Sequence, residues 1–105
     1  MIPTINSETA NLISNSDLIV FDEIVAISRK ILTQSIAGEI VAVTDTGTTM
    51  TDDTTYYDVW SDITQDRKKK EQMDSVISYF GKHGYSIIRR LNTITNNTIV
   101  WEINW

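Results

Sequence analysis

A chain of 105 residues with no cysteine and a formal net charge of −5 has the length of one domain and little room for a second. The missing cysteines exclude a disulfide scaffold and a thiolate zinc site, and the single histidine, His83, excludes a multi-histidine metal centre. No apolar run approaches the roughly 18 residues of a membrane span, and Met1 is not followed by the segments of a secretory signal, so neither membrane insertion nor secretion by a signal peptide is expected.

Residues 1–16 are polar, with Ile5, Leu12 and Ile13 as a short apolar strip. They read as an N-terminal arm that forms a short helix or orders only against a partner. Residues 17–105 read as one α+β domain. Ser16 or Asp17 is placed as the N-cap of a long helix running to about Ala37, with Gly38 as its stop. Val20, Ile24, Ile27 and Ile31 recur at helical spacing, and Ile19, Phe21, Leu32 and Ile36 widen that stripe. Asp22, Glu23, Arg29 and Lys30 lie mostly off it. A stripe this wide is expected to be buried, partly against the rest of the chain and partly against a partner.

Ile40–Thr44 reads as a short strand, and isoleucine outnumbering leucine 16 to 4 favours strands locally. Asp45-Thr46-Gly47 is a turn signal, after which Thr48, Thr49 and Met50 are expected to return as a second short strand. Thr51 or Asp53 then caps a short helical segment carrying Tyr56, Tyr57 and Trp60. A further helix is expected over about 65–83, with Thr64 as N-cap and Gly84 as stop. Its Met73, Val76, Ile77 and Phe80 share one stripe. In the last 21 residues Ile99, Trp101, Ile103 and Trp105 alternate, the pattern of an antiparallel β-hairpin turning at Asn96-Asn97. Two registers are open. A two-residue loop pairs Ile94 with Ile99 and sets Arg90 opposite Ile103. A three-residue loop pairs Leu91 with Trp101 and Ile87 with Trp105, with Arg89 opposite Ile103, and is preferred because it matches apolar with apolar.

The net charge conceals a split: residues 1–66 hold 11 acidic and 2 basic side chains, residues 67–105 hold 3 and 7. The basic part opens at Arg67, Lys68, Lys69 and Lys70. With Arg89 and Arg90 these are the candidate phosphate contacts of a winged-helix-like DNA-binding regulator, in which 65–83 is the recognition helix and 85–105 the wing. Asp66, Glu71 and Asp74 on the same helix, and the acidic chain as a whole, argue against nucleic acid. His83 has no serine, aspartate or cysteine in a recognisable motif around it, and a histidine at a helix C-terminus complements the helix dipole. Asp52, Asp53, Asp58 and Asp62 lack the alternating ligand pattern of a calcium loop. Asn96-Asn97-Thr98 matches a glycosylation sequon and is read as a turn. No catalytic residue, metal ligand or cofactor site is assigned. Tyr56, Tyr57, Trp60, Trp101 and Trp105 are large and semi-polar; in a chain this small most are expected in the core, with one or two as interface anchors, and with Val20, Ile24, Ile27 and Ile31 they are the candidate interface residues.

An ordered set of short motifs runs through the chain: Thr48-Thr49-Met50-Thr51, Tyr56-Tyr57-Asp58-Val59-Trp60, Gln72-Met73, Val76-Ile77, Tyr79-Phe80, Gly84-Tyr85-Ser86-Ile87 and the closing Trp101, Ile103 and Trp105. With Asp22-Glu23-Ile24 and Ile31-Leu32-Thr33, this set resembles a small module of virion structural proteins of marine tailed phages, of the T4-like cyanophage type, over about residues 17–105. The resemblance implies a non-enzymatic structural or assembly protein, found in the virion or in the host cytoplasm during assembly. Such a protein acts through contacts with its own copies and with other virion proteins, and no catalytic residues carry over from the module.

Overall fold

A computed structural model describes residues 18–61 and 66–105. The expected arm, the Ser16, Asp17 and Thr64 caps, Asp62 and the first residue of the 65–83 helix lie outside the described residues. The fold is α+β. Helix α1 (Leu18–Ile36) leads to strand β1 (Val41–Thr44), short helices α2 (Thr49–Asp52) and α3 (Thr54–Ser61), helix α4 (Arg67–Lys82), and strands β2 (Ser86–Leu91) and β3 (Ile99–Asn104). The sheet is antiparallel in the order β1-β3-β2, so the last strand lies at its centre.

The two long helices end in the same way. Gly38 and Gly84 take φ values of +84° and +87°, a region costly for residues with a Cβ. After α1, Glu39 N–H donates to Gln34 O at 2.9 Å and Gly38 N–H to Ser35 O at 3.0 Å. After α4, Tyr85 N–H donates to Phe80 O at 3.0 Å and Gly84 N–H to Gly81 O at 3.3 Å. These paired bonds satisfy carbonyls the helix leaves open and turn the chain sharply. Each turn feeds an edge strand, and Val41 and Ser86 both pair with Asn104. The C-terminal ends of α1 and α4, the starts of β1 and β2 and the chain terminus therefore meet at one end of the molecule.

One face of the sheet carries the core. Ile99, Trp101 and Ile103 of β3 and Ala42 of β1 pack with Val20, Ile24 and Ile27 of α1, Met73, Val76 and Phe80 of α4, and Tyr56 and Val59 of α3, all buried. Each large side chain removed from water in this way contributes about 1.5–3 kcal/mol.

Two local expectations are corrected and a third is met. Thr48–Met50 does not return as a strand: Thr48 caps α2, accepting from Thr51 N–H at 3.1 Å while its own N–H donates to Thr51 Oγ1 at 3.3 Å. Two hydroxyls at capping spacing outweigh the β propensity of a threonine run. Asp66, not Thr64, caps α4, accepting from Lys69 N–H at 3.1 Å, and the helix starts at Arg67. The Asp53 cap does form, with Oδ1 accepting from the Thr55 N–H at 2.9 Å and hydroxyl at 2.7 Å, bonds that hold its carboxyl below the usual carboxylate range.

The hairpin register differs from both alternatives. Ile87 pairs with Ile103, Arg89 with Trp101 and Leu91 with Ile99. This is a two-residue slip from the preferred register, and an even slip leaves every side chain on its original face, so alternation could not exclude it. A longer loop sets the pairing. Asn92 Oδ1 accepts from Ile94 N–H at 2.9 Å, Asn92 N–H donates to Thr98 O at 2.9 Å, and Asn96 takes the positive φ of 61°.

Thr44 is buried on the core face, and its hydroxyl has no hydrogen-bond partner among the described residues. Thr44→Val keeps the β-branched shape and removes that orphan, so stability should rise by about 1 kcal/mol. Urea denaturation checks this; a lower midpoint in the variant would show that the hydroxyl is satisfied.

Candidate interaction surface

The candidate interface residues separate into two groups. Val20, Ile24, Ile27, Ile31, Tyr56 and Trp101 are 0–7% exposed and belong to the chain's own core; for the four α1 residues this corrects their reading as a surface shared with a partner, and for the two aromatics it is the core placement expected of most of their set. The α1 stripe finds enough apolar surface on α4 and the sheet to be closed intramolecularly. Tyr57 and Trp60 are half-buried against that core, their rings edge-to-face at 5.9 Å. Trp105 is the one member of the set that remains broadly open to solvent. The widening residues are also corrected: Ile36, on the last turn of α1, is 79% exposed.

The candidate phosphate contacts are largely engaged with carboxylates. Lys69 pairs with Asp66 at 3.0 Å, Lys70 with Asp74 at 2.8 Å and Arg90 with Glu102 at 3.4 Å. Arg89 is held 3.7 Å from Asp74 and 5.4 Å from the Trp60 ring, with its side chain 15% exposed. Burial lowers the pKa of its guanidinium, and Asp74 opposes that shift. Arg67 and Lys68 are exposed on the first turn of α4. The basic run therefore does not form one open cationic face.

The end at which the helices stop holds a different surface. A groove of about 290 Å³ lies between α1 and α4, with Ile31, Leu32, Phe80 and Tyr85 among its apolar lining and Ser28, Ser35 and His83 among its polar lining. Tyr85 stands edge-to-face against Phe80 at 5.9 Å and against Trp105 at 6.2 Å. Trp105 N–H in turn donates to Ile40 O at 3.1 Å, which places Ile40, 67% exposed, beside the terminal tryptophan. The result is an apolar tract running from the groove across Tyr85 and Trp105 to Ile40, at the end where Ile36 also projects. His83 Nδ1–H donates to Tyr79 O at 2.6 Å, and among the described residues no carboxylate lines the groove.

Pattern reading alone did not reach Ile40, Tyr85 or the groove, because they are brought together by the β1–β3 pairing. The two helix-stop glycines were the available signal, since each precedes a predicted strand.

Glu23 was also missed. It lies three residues after Val20 and four before Ile27, which puts it on the flank of the α1 stripe, and it is 1% exposed. Its Oε2 accepts from the Thr48 hydroxyl at 2.7 Å and from the Trp101 indole N–H at 2.9 Å, and its Oε1 accepts from Met50 N–H at 3.4 Å. One carboxylate thus ties α1 to the first turn of α2 and to the central strand. Burial raises its pKa, Asp52 adds to the rise, and the bonds from Thr48, Trp101 and Met50 oppose it. Closed off from solvent, this group acts on the fold.

Among the described residues no cluster of three or more potential metal ligands occurs, and no helix is long and apolar enough to cross a membrane. No family model, curated protein or solved structure matches the chain.

Proposed function

We propose that this chain is a non-enzymatic structural or assembly protein of a tailed-phage virion, working through contacts with its own copies and with other virion proteins. The observation that supports contact as its mode of action is the apolar tract in which Trp105 and Ile40 are exposed beside the half-buried Tyr85. Aromatic side chains rimmed by aliphatic ones bury much area at low entropic cost, which is the make-up of interface anchors. The virion setting is supported by the motif resemblance over residues 17–105. On this reading the protein is found in the particle, or in the host cytoplasm while particles assemble.

Light scattering of the purified chain tests the proposal. The wild type is expected to exceed the mass of one chain at concentrations up to about 100 μM. The double variant Ile36→Ser, Ile40→Ser should shift the mass toward the monomer while leaving the melting temperature nearly unchanged, because both positions are exposed. A wild type that stays monomeric throughout and does not co-purify with particles would remove the proposal.

A DNA-binding regulator is the second reading. It is favoured by the order helix, strand, helices, hairpin and weakened by the ion pairs at Lys69, Lys70, Arg89 and Arg90. A duplex-binding titration at about 50 and 200 mM salt decides it, since several phosphate contacts give a steep loss of affinity between those conditions.

A further inference from the structure

We propose that the outer edge of β1 is a docking site for an extended, acidic segment of another protein, which adds to the sheet as a fourth strand. The site uses a different surface from the end face and does not depend on it.

The argument begins with main-chain groups. Trp105 N–H donates to Ile40 O, so Ile40, and by two-residue alternation Ala42 and Thr44, turn their main-chain groups toward β3. Val41 and Val43 turn theirs outward. The order β1-β3-β2 leaves that side without a neighbouring strand among the described residues. Edges of this kind are normally blunted by charge, proline or a bulge. The opposite edge is: β2 carries Arg89 and Arg90. By contrast, Val41-Ala42-Val43-Thr44 has no charge and no proline, and its pairing with β3 runs without a break.

Beside this edge the structure leaves room. A groove of about 370 Å³ lies between the C-terminal end of this edge and α1, with Ala26, Arg29, Lys30 and Thr33 on the helix side, and Val43 and Thr44 of β1 with the turn at 45–48 on the other. Arg29 and Lys30 are both exposed, and among the described residues Asp45 is the one acidic side chain in the lining. Strand addition draws its affinity from main-chain bonds and its selectivity from the side chains that flank the added strand. Here the flank is two cations on α1, so a carboxylate-bearing strand fits. A second copy of β1 fits less well, because a two-fold axis at this edge would bring the Arg29 and Lys30 flanks of the two copies together.

The test uses the full chain labelled with ¹⁵N, and a capped octapeptide alternating valine and glutamate, with the valine–lysine counterpart as control. The glutamate peptide is expected to slow amide exchange at Val41 and Val43 by about tenfold or more at saturation, and the lysine peptide to leave both unchanged. Val43→Pro removes only an outward N–H, a substitution that edge strands tolerate, and should abolish the peptide-dependent protection of the other outward amide, Val41, without lowering the melting temperature. The double variant Arg29→Glu, Lys30→Glu, at two exposed positions, should reverse the peptide preference, and decides the matter alone if the proline variant does not fold. No peptide-dependent protection, or equal protection by both peptides, overturns the proposal. So does protection of Val43 without peptide: in the dilute monomer it would mean that the chain covers its own edge, and appearing only on concentration it would mean that a second copy does.

Discussion

Glu23→Ala is expected to lower the folding free energy by about 2–4 kcal/mol, a large part of the roughly 5–15 kcal/mol that holds a domain of this size. The Trp101 indole N–H loses its acceptor in a site where both residues are buried, and an orphaned buried donor costs about 1–3 kcal/mol. Met50 N–H loses a weaker acceptor, and the missing side chain leaves a void beside α2. Part of the loss is offset because a desolvated charge disappears as well. Thr48 is less affected, since its hydroxyl keeps Thr51 as a neighbour at 2.6 Å. Glu23→Gln retains an oxygen for Trp101 and removes the charge, so it should stay within about 1 kcal/mol of the wild type. Urea denaturation followed by tryptophan fluorescence measures both. Equal behaviour of the alanine variant and the wild type would show that the carboxylate does not brace the three elements.

The same residue sets a pH dependence whose sign is opposite to that of an ordinary ion-paired carboxylate. Its pKa is higher in the folded chain than the 4.5 of a free glutamate. Its contribution is therefore fully present below about 4.5 and is lost as the pH rises through the folded-state value. Asp53 and Asp66, whose pKa values are lowered by hydrogen bonds from Thr55 and Lys69 respectively, act the other way and lose their contribution as the pH falls. The Glu23 component is therefore read as the difference between wild type and Glu23→Gln, which should favour the wild type increasingly toward acid.

Pattern carried far along this chain where each element declares its own period. The stripes of α1 and α4, the stops at Gly38 and Gly84 and the alternation of β3 are local, and the α+β order follows from them. What pattern could not carry was pairing at a distance. The slip that sets Ile87 against Ile103 preserves both faces, so only the Asn92-centred loop distinguishes it. The return of β1 to β3 closes the sheet across more than half of the chain, and that pairing assembles Ile40, Tyr85 and Trp105 into one surface. Glu23 was misplaced for a related reason. A charge beside an apolar stripe is normally solvated, and the indole N–H that makes its burial tolerable lies 78 residues away.

Ile27→Asp is expected to abolish cooperative folding at neutral pH. Ile27 is 0% exposed at the middle of the α1 stripe, and its neighbours in the core cluster are overwhelmingly apolar. The substitution forfeits about 1.5–3 kcal/mol of burial. It also forces either an unpaired carboxylate into that environment or the cost of protonating it, several kcal/mol more. Together these approach the whole stability of the domain. Ile27→Val, which removes one methylene, should cost only about 0.5–1.5 kcal/mol and fold normally. Ile36→Asp on the same helix is the matching exposed control: at 79% exposure it should leave the stability within about 0.5 kcal/mol of wild type. The near-ultraviolet circular dichroism of the buried Trp101 reports all three. Acid should partly restore the Ile27→Asp variant, because an introduced carboxyl with a raised pKa is neutral, and tolerated, only below that value. A native near-ultraviolet spectrum for Ile27→Asp at neutral pH would mean that α1 does not sit on the core through this face.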